Sequence, residues 1–264
     1  ISREGAAMPE DKNAVVTGAS KGIGLAVTTA LRDQGYRVVA CARSVSAELA
    51  GIASLAVAAD LGAPDGPGRL IDAALAELGG IDLLVNNVAG TTGLHPGGFL
   101  SVTDDDWRHA LDLTLLSAVR ASRAALPSLL ERGGQIINIG SINARRPAPH
   151  LVDIAAAKAA LASLGKALAE EFGPRGVRVN TISPGPVRTS VWTEPGSTGD
   201  ALAARAGLSR EEFLDVLPAT LGMSTGRITE PAEIAALVVF LAGGSAPNIN
   251  GADLVIDGGM RKEL

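Results

Sequence analysis

Residues 14–31 read Ala14-Val15-Val16-Thr17-Gly18-Ala19-Ser20-Lys21-Gly22-Ile23-Gly24-Leu25-Ala26-Val27-Thr28-Thr29-Ala30-Leu31. A short apolar run rich in β-branched residues breaks into a glycine turn, and the turn opens into a segment of helical period. Glycines at 18, 22 and 24 remove side chains where the backbone must turn tightly and come close to an anion. The helix start that follows offers unpaired N–H groups and a partial positive charge to that anion. Glycine turns are common, but one lying between a first strand and a first helix has the context of a dinucleotide pyrophosphate site. Gly18, Ser20, Lys21, Gly22, Ile23 and Gly24 are therefore candidate cofactor contacts. No Gly-Lys-Ser/Thr follows, which excludes a nucleoside-triphosphate loop.

Outward from this stretch, apolar β-rich runs alternate with longer helical patterns, the signature of a parallel sheet covered on both faces. Strands are expected at Ala14–Thr17, Arg37–Cys41, Leu55–Ala59, Leu83–Asn86, Gln135–Ile139, Arg178–Ile182 and Asp253–Ile256. Helical patterns fall at 22–34, 67–79, 104–130, 152–172 and 230–243, with Pro127 expected to kink or end the third. The predicted fold is α/β, a Rossmann-type doubly wound sheet of seven mostly parallel strands in a single domain over 1–264. Residues 1–12 are expected to be a flexible N-terminus. Residues 190–227 depart from the alternation after a late strand, where an insertion lies near the ligand-binding ends of the strands, and are read as a substrate lid.

The end of the second strand bears on cofactor choice. An acid there grips a ribose 2′-hydroxyl, whereas a base suits a 2′-phosphate. This chain has Cys41-Ala42-Arg43-Ser44, without an acid. Arg43 and Lys21 together favour NADP(H) over NAD(H). Asp60, with Leu61 after it, is placed to accept a hydrogen bond from adenine or simply to cap the strand. Asn86-Asn87-Val88-Ala89-Gly90 sets small residues and amides beside the expected ribose, with Asn87, Ala89 and Gly90 as contacts.

Composition narrows the classes. With 47% apolar and 19% charged residues the chain is neither disordered nor collagen-like. A net charge of −5 and the lack of a Lys/Arg cluster argue against nucleic acid as a partner. The single cysteine, Cys41, cannot form an intrachain disulfide, and no Cys/His spacing resembles a metal site. No apolar run approaches the ~18 residues of a membrane span, and Ile1–Pro9 lacks the apolar core of a signal peptide. A small-molecule substrate and a cytoplasmic setting are expected.

Together these strings resemble the short-chain dehydrogenase/reductase family, over Asn13 to Met260. Thr17–Gly24 is similar to its cofactor turn, and Asn86–Gly90 to its Asn-Asn-Ala-Gly motif with one residue inserted. Asn180–Thr189 resembles its nicotinamide-side segment, in which Pro184, Gly185, Val187 and Thr189 become candidate contacts. Gly251-Ala252-Asp253 through Asp257-Gly258-Gly259 resembles its C-terminal strand signature. The resemblance implies reduction of a carbonyl or oxidation of an alcohol, and a homotetramer or dimer with a long helix and the last strand at interfaces. It also implies a serine that orients the carbonyl, a tyrosine that passes a proton, a lysine that binds the nicotinamide ribose, and an asparagine that holds a relay water. Ser141 and Lys158 fall on the serine and lysine positions. The tyrosine position carries Ile154, four residues before Lys158, and the asparagine position carries Thr114. Tyr36 is the only tyrosine and lies far off in the sequence.

An isoleucine cannot move a proton, so three readings stay open. One is a reductase with another proton source, His150 being the leading candidate because an imidazole titrates near neutrality. Asp153 shares the loop and helix start with His150, where it either joins that chemistry or only charges the helix N-terminus, and His95 follows the Asn-Asn motif; an ordered water on Ser141 is a second source. Another is a cofactor-binding protein without turnover, a sensor or an oligomer partner. The last is an engineered Ile154, which a knockout design disfavours. The substrate pocket is expected to be mainly apolar, built from Gly90–Gly98, Arg145–Leu151 and Ser190–Leu217.

Overall fold

The computed structural model describes residues 12–90 and 93–263; the expectation for the N-terminus thus falls, save for Lys12, outside the described residues. Seven strands form one wholly parallel sheet: β1 (Asn13–Thr17), β2 (Arg37–Ala42), β3 (Leu55–Ala58), β4 (Leu83–Asn86), β5 (Gln135–Ile139), β6 (Arg178–Pro184) and β7 (Asp253–Ile256). Their spatial order is β3-β2-β1-β4-β5-β6-β7. The order reverses between β1 and β4, which leaves a crevice at the carboxyl ends of those two strands.

Side chains alternate across the pleat and feed two cores. Ala14 and Val16 of β1, Leu83 and Val85 of β4, and Ile137 of β5 join one core, with Val27 and Leu31 of α1 (Gly22–Asp33). Val15, Leu84 and Ile136 join the other, beneath Leu70 and Ile71 of α3 (Gly66–Leu78). The strands are apolar on both faces because both faces are covered. A short α2 (Ala47–Ile52) precedes β3, capped by Ser46, whose side chain accepts the N–H of Leu49. At six residues it is too short to show a period.

The third helical pattern is more complex than its sequence suggests. It begins as α4 (Asp104–Leu111), passes through a wider π-turn at Asp112–Leu116, and continues as α5 (Ser117–Arg132). The expected early end at Pro127 does not occur; α5 runs on to Arg132 and stops at Gly133 in the left-handed conformation, φ 61°. Pro127 and Arg123, whose carbonyl would otherwise receive its N–H, both lie on the exposed side, so water can take the freed acceptor. Downstream lie α6 (Val152–Phe172), α7 (Ser190–Thr193), α8 (Thr198–Ala206), α9 (Arg210–Thr220) and α10 (Pro231–Ala242). In the first core α10 adds Ile234 and Val238 beside α1, and in the second α5 adds Ala121, Ala125 and Leu129 beside α3. Residues 190–227, read as an insertion, fold into α7, α8 and α9 around a satellite core of Ala203, Phe213, Leu217 and Met223 with Ile142 and Met260. No helix among the described residues is long and apolar enough to cross a membrane.

Leu84 is fully buried at the centre of the sheet. Leu84→Ala should cost about 2–5 kcal/mol of stability. Urea unfolding would register this as a lower midpoint with an unchanged slope.

Candidate active site

The crevice between β1 and β4 is built around the glycine turn. Gly18 and Gly22 have φ of 66° and 57°, conformations that a side chain resists. Gly24 is constrained by space instead: a Cβ there would stand 2.2 Å from the Gly18 carbonyl oxygen and 2.6 Å from Asn87 Nδ2. That amide braces the turn, donating to the carbonyls of Thr17 (2.9 Å) and Gly18 (3.0 Å). Thr17 Oγ1 in turn accepts the N–H groups of Asn87 (2.9 Å) and Val88 (3.1 Å). Asn86 points the other way, into a buried amide cluster with Ser122 (3.1 Å) and Asn138 (2.9 Å). The paired asparagines are thus divided between turn and core. No side chain caps α1, and no acid lies in its first turn. Its opening N–H groups form a bare cradle, and their chemistry fits a pyrophosphate.

A groove of about 420 Å³ runs over this cradle. Gly18, Ser20, Lys21, Gly22 and Ile23 line it, as do Arg43, Leu61, Asn87, Ala89, Gly90 and Thr189. Arg43 is exposed, with no acidic partner among the described residues. Lys21 reaches instead to Glu194, 3.2 Å away, in an exposed pair. Asp60 lies outside the lining; its Oδ1 accepts the Gly62 N–H at 2.9 Å, the strand-end role. Gly24 is packed behind the turn, Pro184 is buried in β6, and Val187 is buried beside Thr229, to which it forms a bridge. Sequence reasoning missed His109 and Leu113 on the groove wall, and it named Val88 and Val191 only as members of longer stretches. His109 and Leu113 arrive from α4 and the π-turn, whose irregular winding carries no period to read.

Beside the groove lies a cavity of about 360 Å³, and Val191 forms part of the wall of both. Ser141, at the end of β5, faces it, its Oγ accepting the Asn143 N–H at 3.1 Å. Ile154 lines it from the first turns of α6, and Gly185 from beyond β6. Tyr36 is remote here too, at the start of β2, where its hydroxyl donates to the Ala242 carbonyl at 3.2 Å. Burial pushes that phenol up to about 12. Lys158, a turn beyond Ile154, is buried and donates from Nζ to the Ile139 carbonyl at 2.5 Å; it lines neither compartment. Thr114 is fully buried in the π-turn, and its hydroxyl both accepts from the N–H of Gly90 (3.2 Å) and donates to its carbonyl (3.4 Å). Its proton is thereby engaged within the protein.

His150 is the one titratable side chain among the described residues lining the cavity. Its Nδ1 lies 3.3 Å from the His95 carbonyl, an acceptor, so Nδ1 carries the proton and Nε2 is left free. The His95 N–H donates back to the His150 carbonyl at 3.0 Å. The His95 ring is buried against Asp153 of α6, Nε2 to Oδ2 3.4 Å, and Asp153 is fully buried. Two of the expected pocket segments meet at this clasp and the third, 190–217, reaches the cavity through Val191, Trp192, Thr198, Leu202 and Leu217, but Arg145 does not join them: it turns outward onto Asp253, 2.7 Å away. Trp192, within the expected stretch Ser190–Leu217, lines the cavity, and so does Asn143, which the sequence did not single out. No group of three or more His, Cys, Asp or Glu among the described residues is arranged to hold a metal.

This architecture has known counterparts. A family profile described as Enoyl-(Acyl carrier protein) reductase matches residues 18–261. The chain belongs to the short-chain dehydrogenase/reductase family. Among short-chain dehydrogenases/reductases it is similar to 3beta-hydroxysteroid dehydrogenase 1 of Eggerthella lenta, with 35% identity over 260 residues, 94% of this chain and 93% of that protein. It is also similar to the crystal structure of L-sorbose reductase from Gluconobacter frateurii complexed with NADPH and L-sorbose: 32% identity, TM-score 0.87, 96% of this chain and 98% of that one. A third likeness is the NADPH-bound short chain oxidoreductase of Pseudomonas aeruginosa PAO1 containing an atypical catalytic center. There the identity is 31% and the TM-score 0.83, over 97% of this chain and 100% of that one.

Burial moves the Lys158 ammonium from the ordinary 10.5 down to about 8. Between those values the unfolded chain holds more protons than the folded one, so stability from this residue rises with pH. Below 8 the full cost of the buried charge is present. Relative to Lys158→Met, the wild-type protein should gain roughly 3 kcal/mol between pH 8 and 10.5, measurable by urea unfolding at stepped pH.

Proposed function

We propose that this short-chain dehydrogenase/reductase is an NADP(H)-dependent oxidoreductase acting on a carbonyl or alcohol substrate. One observation carries the reading: an uncapped helix start with a free Arg43 on one side adjoins, across Val191, a cavity that Ser141 faces. The NADPH-bound structures to which the chain is similar support it. Bound NADPH supplies the hydride. The protein's own part is to hold anions and an oxygen. The N–H groups opening α1 would hold the pyrophosphate, and the Arg43 guanidinium would hold the 2′-phosphate. Lys21 joins it on leaving an exposed ion pair worth little in water.

As charge builds on the substrate oxygen, the Ser141 hydroxyl donates to it; that proton is available because Oγ acts as acceptor toward Asn143. Ile154, at the position where the family resemblance expects the proton-passing tyrosine, contributes only an apolar wall. His150 replaces it: Nε2–H of its cationic form gives the proton to the oxygen, and the ring, held through Nδ1, returns neutral. Residues 190–227 act as the substrate lid.

A second reading, binding of NADP(H) with little turnover, is favoured by Ile154 and by the closed Thr114–Gly90 contact. Calorimetry and kinetics separate the two. NADPH should bind saturably, and Arg43→Ala should weaken it about tenfold while leaving NADH unaffected. His150→Gln should cut kcat at least about tenfold at unchanged NADPH affinity. If the wild-type protein binds NADPH but oxidises none against a broad carbonyl panel, while Ile154→Tyr with Thr114→Asn raises turnover by about 10²–10⁴, the second reading holds.

A further inference from the structure

We infer that the cavity beside Ser141 takes a neutral, mainly hydrocarbon ketone or secondary alcohol, an alicyclic or aryl framework with its polar oxygen at the reacting end. This rests on reading the cavity as the substrate site. Three observations set the class.

The first is charge. Among the described residues none in the lining is acidic, lysine or arginine, and the one titratable group is His150. The two arginines entering this segment are committed elsewhere. Arg145 forks onto Asp253 through Nη2 (2.7 Å) and Nε (3.0 Å), and Arg146 donates to the Met260 carbonyl at 3.0 Å. A carboxylate, sulfonate or phosphate entering the cavity would lose its water and find no fixed cation, a costly exchange.

The second is the distribution of polar atoms. Ser141, Asn143 and His150 lie within one short stretch after β5, and among the described residues Thr198 is the only other hydroxyl on the wall. Leu151, Ile154, Trp192, Leu202, Leu217 and Leu221 supply hydrocarbon. Trp192, Leu202, Leu217 and Leu221 belong to the satellite core or pack against it, which fixes them as a wall. A polyol would leave most of its hydroxyls against carbon, each costing about 1–3 kcal/mol when buried unpaired. One oxygen meeting Ser141 and His150 leaves none unpaired.

The third is size. At about 30 Å³ for each water-sized group, a cavity of about 360 Å³ holds on the order of a dozen. That is room for a fused two-ring or substituted aryl ketone. Ile154 matters here because it continues the apolar wall from Leu151 at a place where a phenol would interrupt it.

Binding can be read without turnover. The chain has two tryptophans, and only Trp192 lines the cavity, so Trp107→Phe leaves a single reporter. With NADP+, which has no hydride to give, 2-decalone should change Trp192 fluorescence saturably. L-sorbose and 4-acetylbenzoate, polar and anionic ketones of similar size, should bind roughly a hundredfold more weakly or not at all. Leu202→Glu and Leu221→Asn, each checked for native circular dichroism, should weaken 2-decalone by about tenfold or more at unchanged NADPH affinity. The inference fails if 2-decalone gives no saturable signal, or if either comparison ketone binds as tightly. It fails too if neither folded variant weakens 2-decalone. A protein that binds 2-decalone as expected yet never consumes NADPH overturns the oxidoreductase reading and leaves the ligand class standing.

Discussion

Position 24 admits no side chain, and the rest of the site is arranged around that exclusion. The first turn of α1 lies against the carbonyl of Gly18, with Asn87 Nδ2 wedged alongside. The contact pins the helix start to the carboxyl end of β1, and through Asn87 it also pins the end of β4. These are the two strands between which the sheet order reverses. A Cβ at 24 would push against backbone atoms on one side and the bracing amide on the other. The same close approach that makes the turn rigid keeps the N–H groups of α1 uncovered, so stability and anion binding share one geometric cause.

The neighbouring compartment is held by a different device. A fully buried carboxylate, Asp153, sits in the first turn of α6, where the helix field favours a negative charge. The buried His95 ring lies beside it, Nε2 to Oδ2 3.4 Å, and the His95 backbone meets both the ring and the carbonyl of His150. Loop and helix start are thereby clasped, and the clasp determines which ring nitrogen of His150 is free. Removing Asp153 or His95 would leave the other buried and uncompensated, so the pair resists piecemeal change.

Much of this was legible beforehand because strong local rules govern it. All seven strands lie within two residues of their predicted ends, since each is a short, largely apolar run set between turn signals and helical patterns. The glycine turn was readable because its position between strand and helix is itself informative. The π-turn at Asp112–Leu116 was not, because periodicity arguments presume one winding throughout; the placement of His109 and Leu113 on the groove wall was lost with it. Pro127 misled for a related reason: a proline costs little where the carbonyl it leaves unbonded faces water. The roles of Asn86 and Asn87 could not be divided in advance, for adjacent residues point apart and only the tertiary fold says which side is core. Nor could sequence reveal that Arg145 faces Asp253, a partner 108 residues away.

Val191 gives the two compartments a common boundary. A residue that borders both cannot shift for one occupant without altering the fit of the other. If occupying the groove displaces it, the affinity of the cavity changes by some factor, and filling the cavity must change the affinity of the groove by the same factor. Half-exposed and set on a helix of only four residues, Val191 is lightly anchored, so any coupling between occupants of the two compartments would turn on one short turn of backbone rather than on the sheet beneath it.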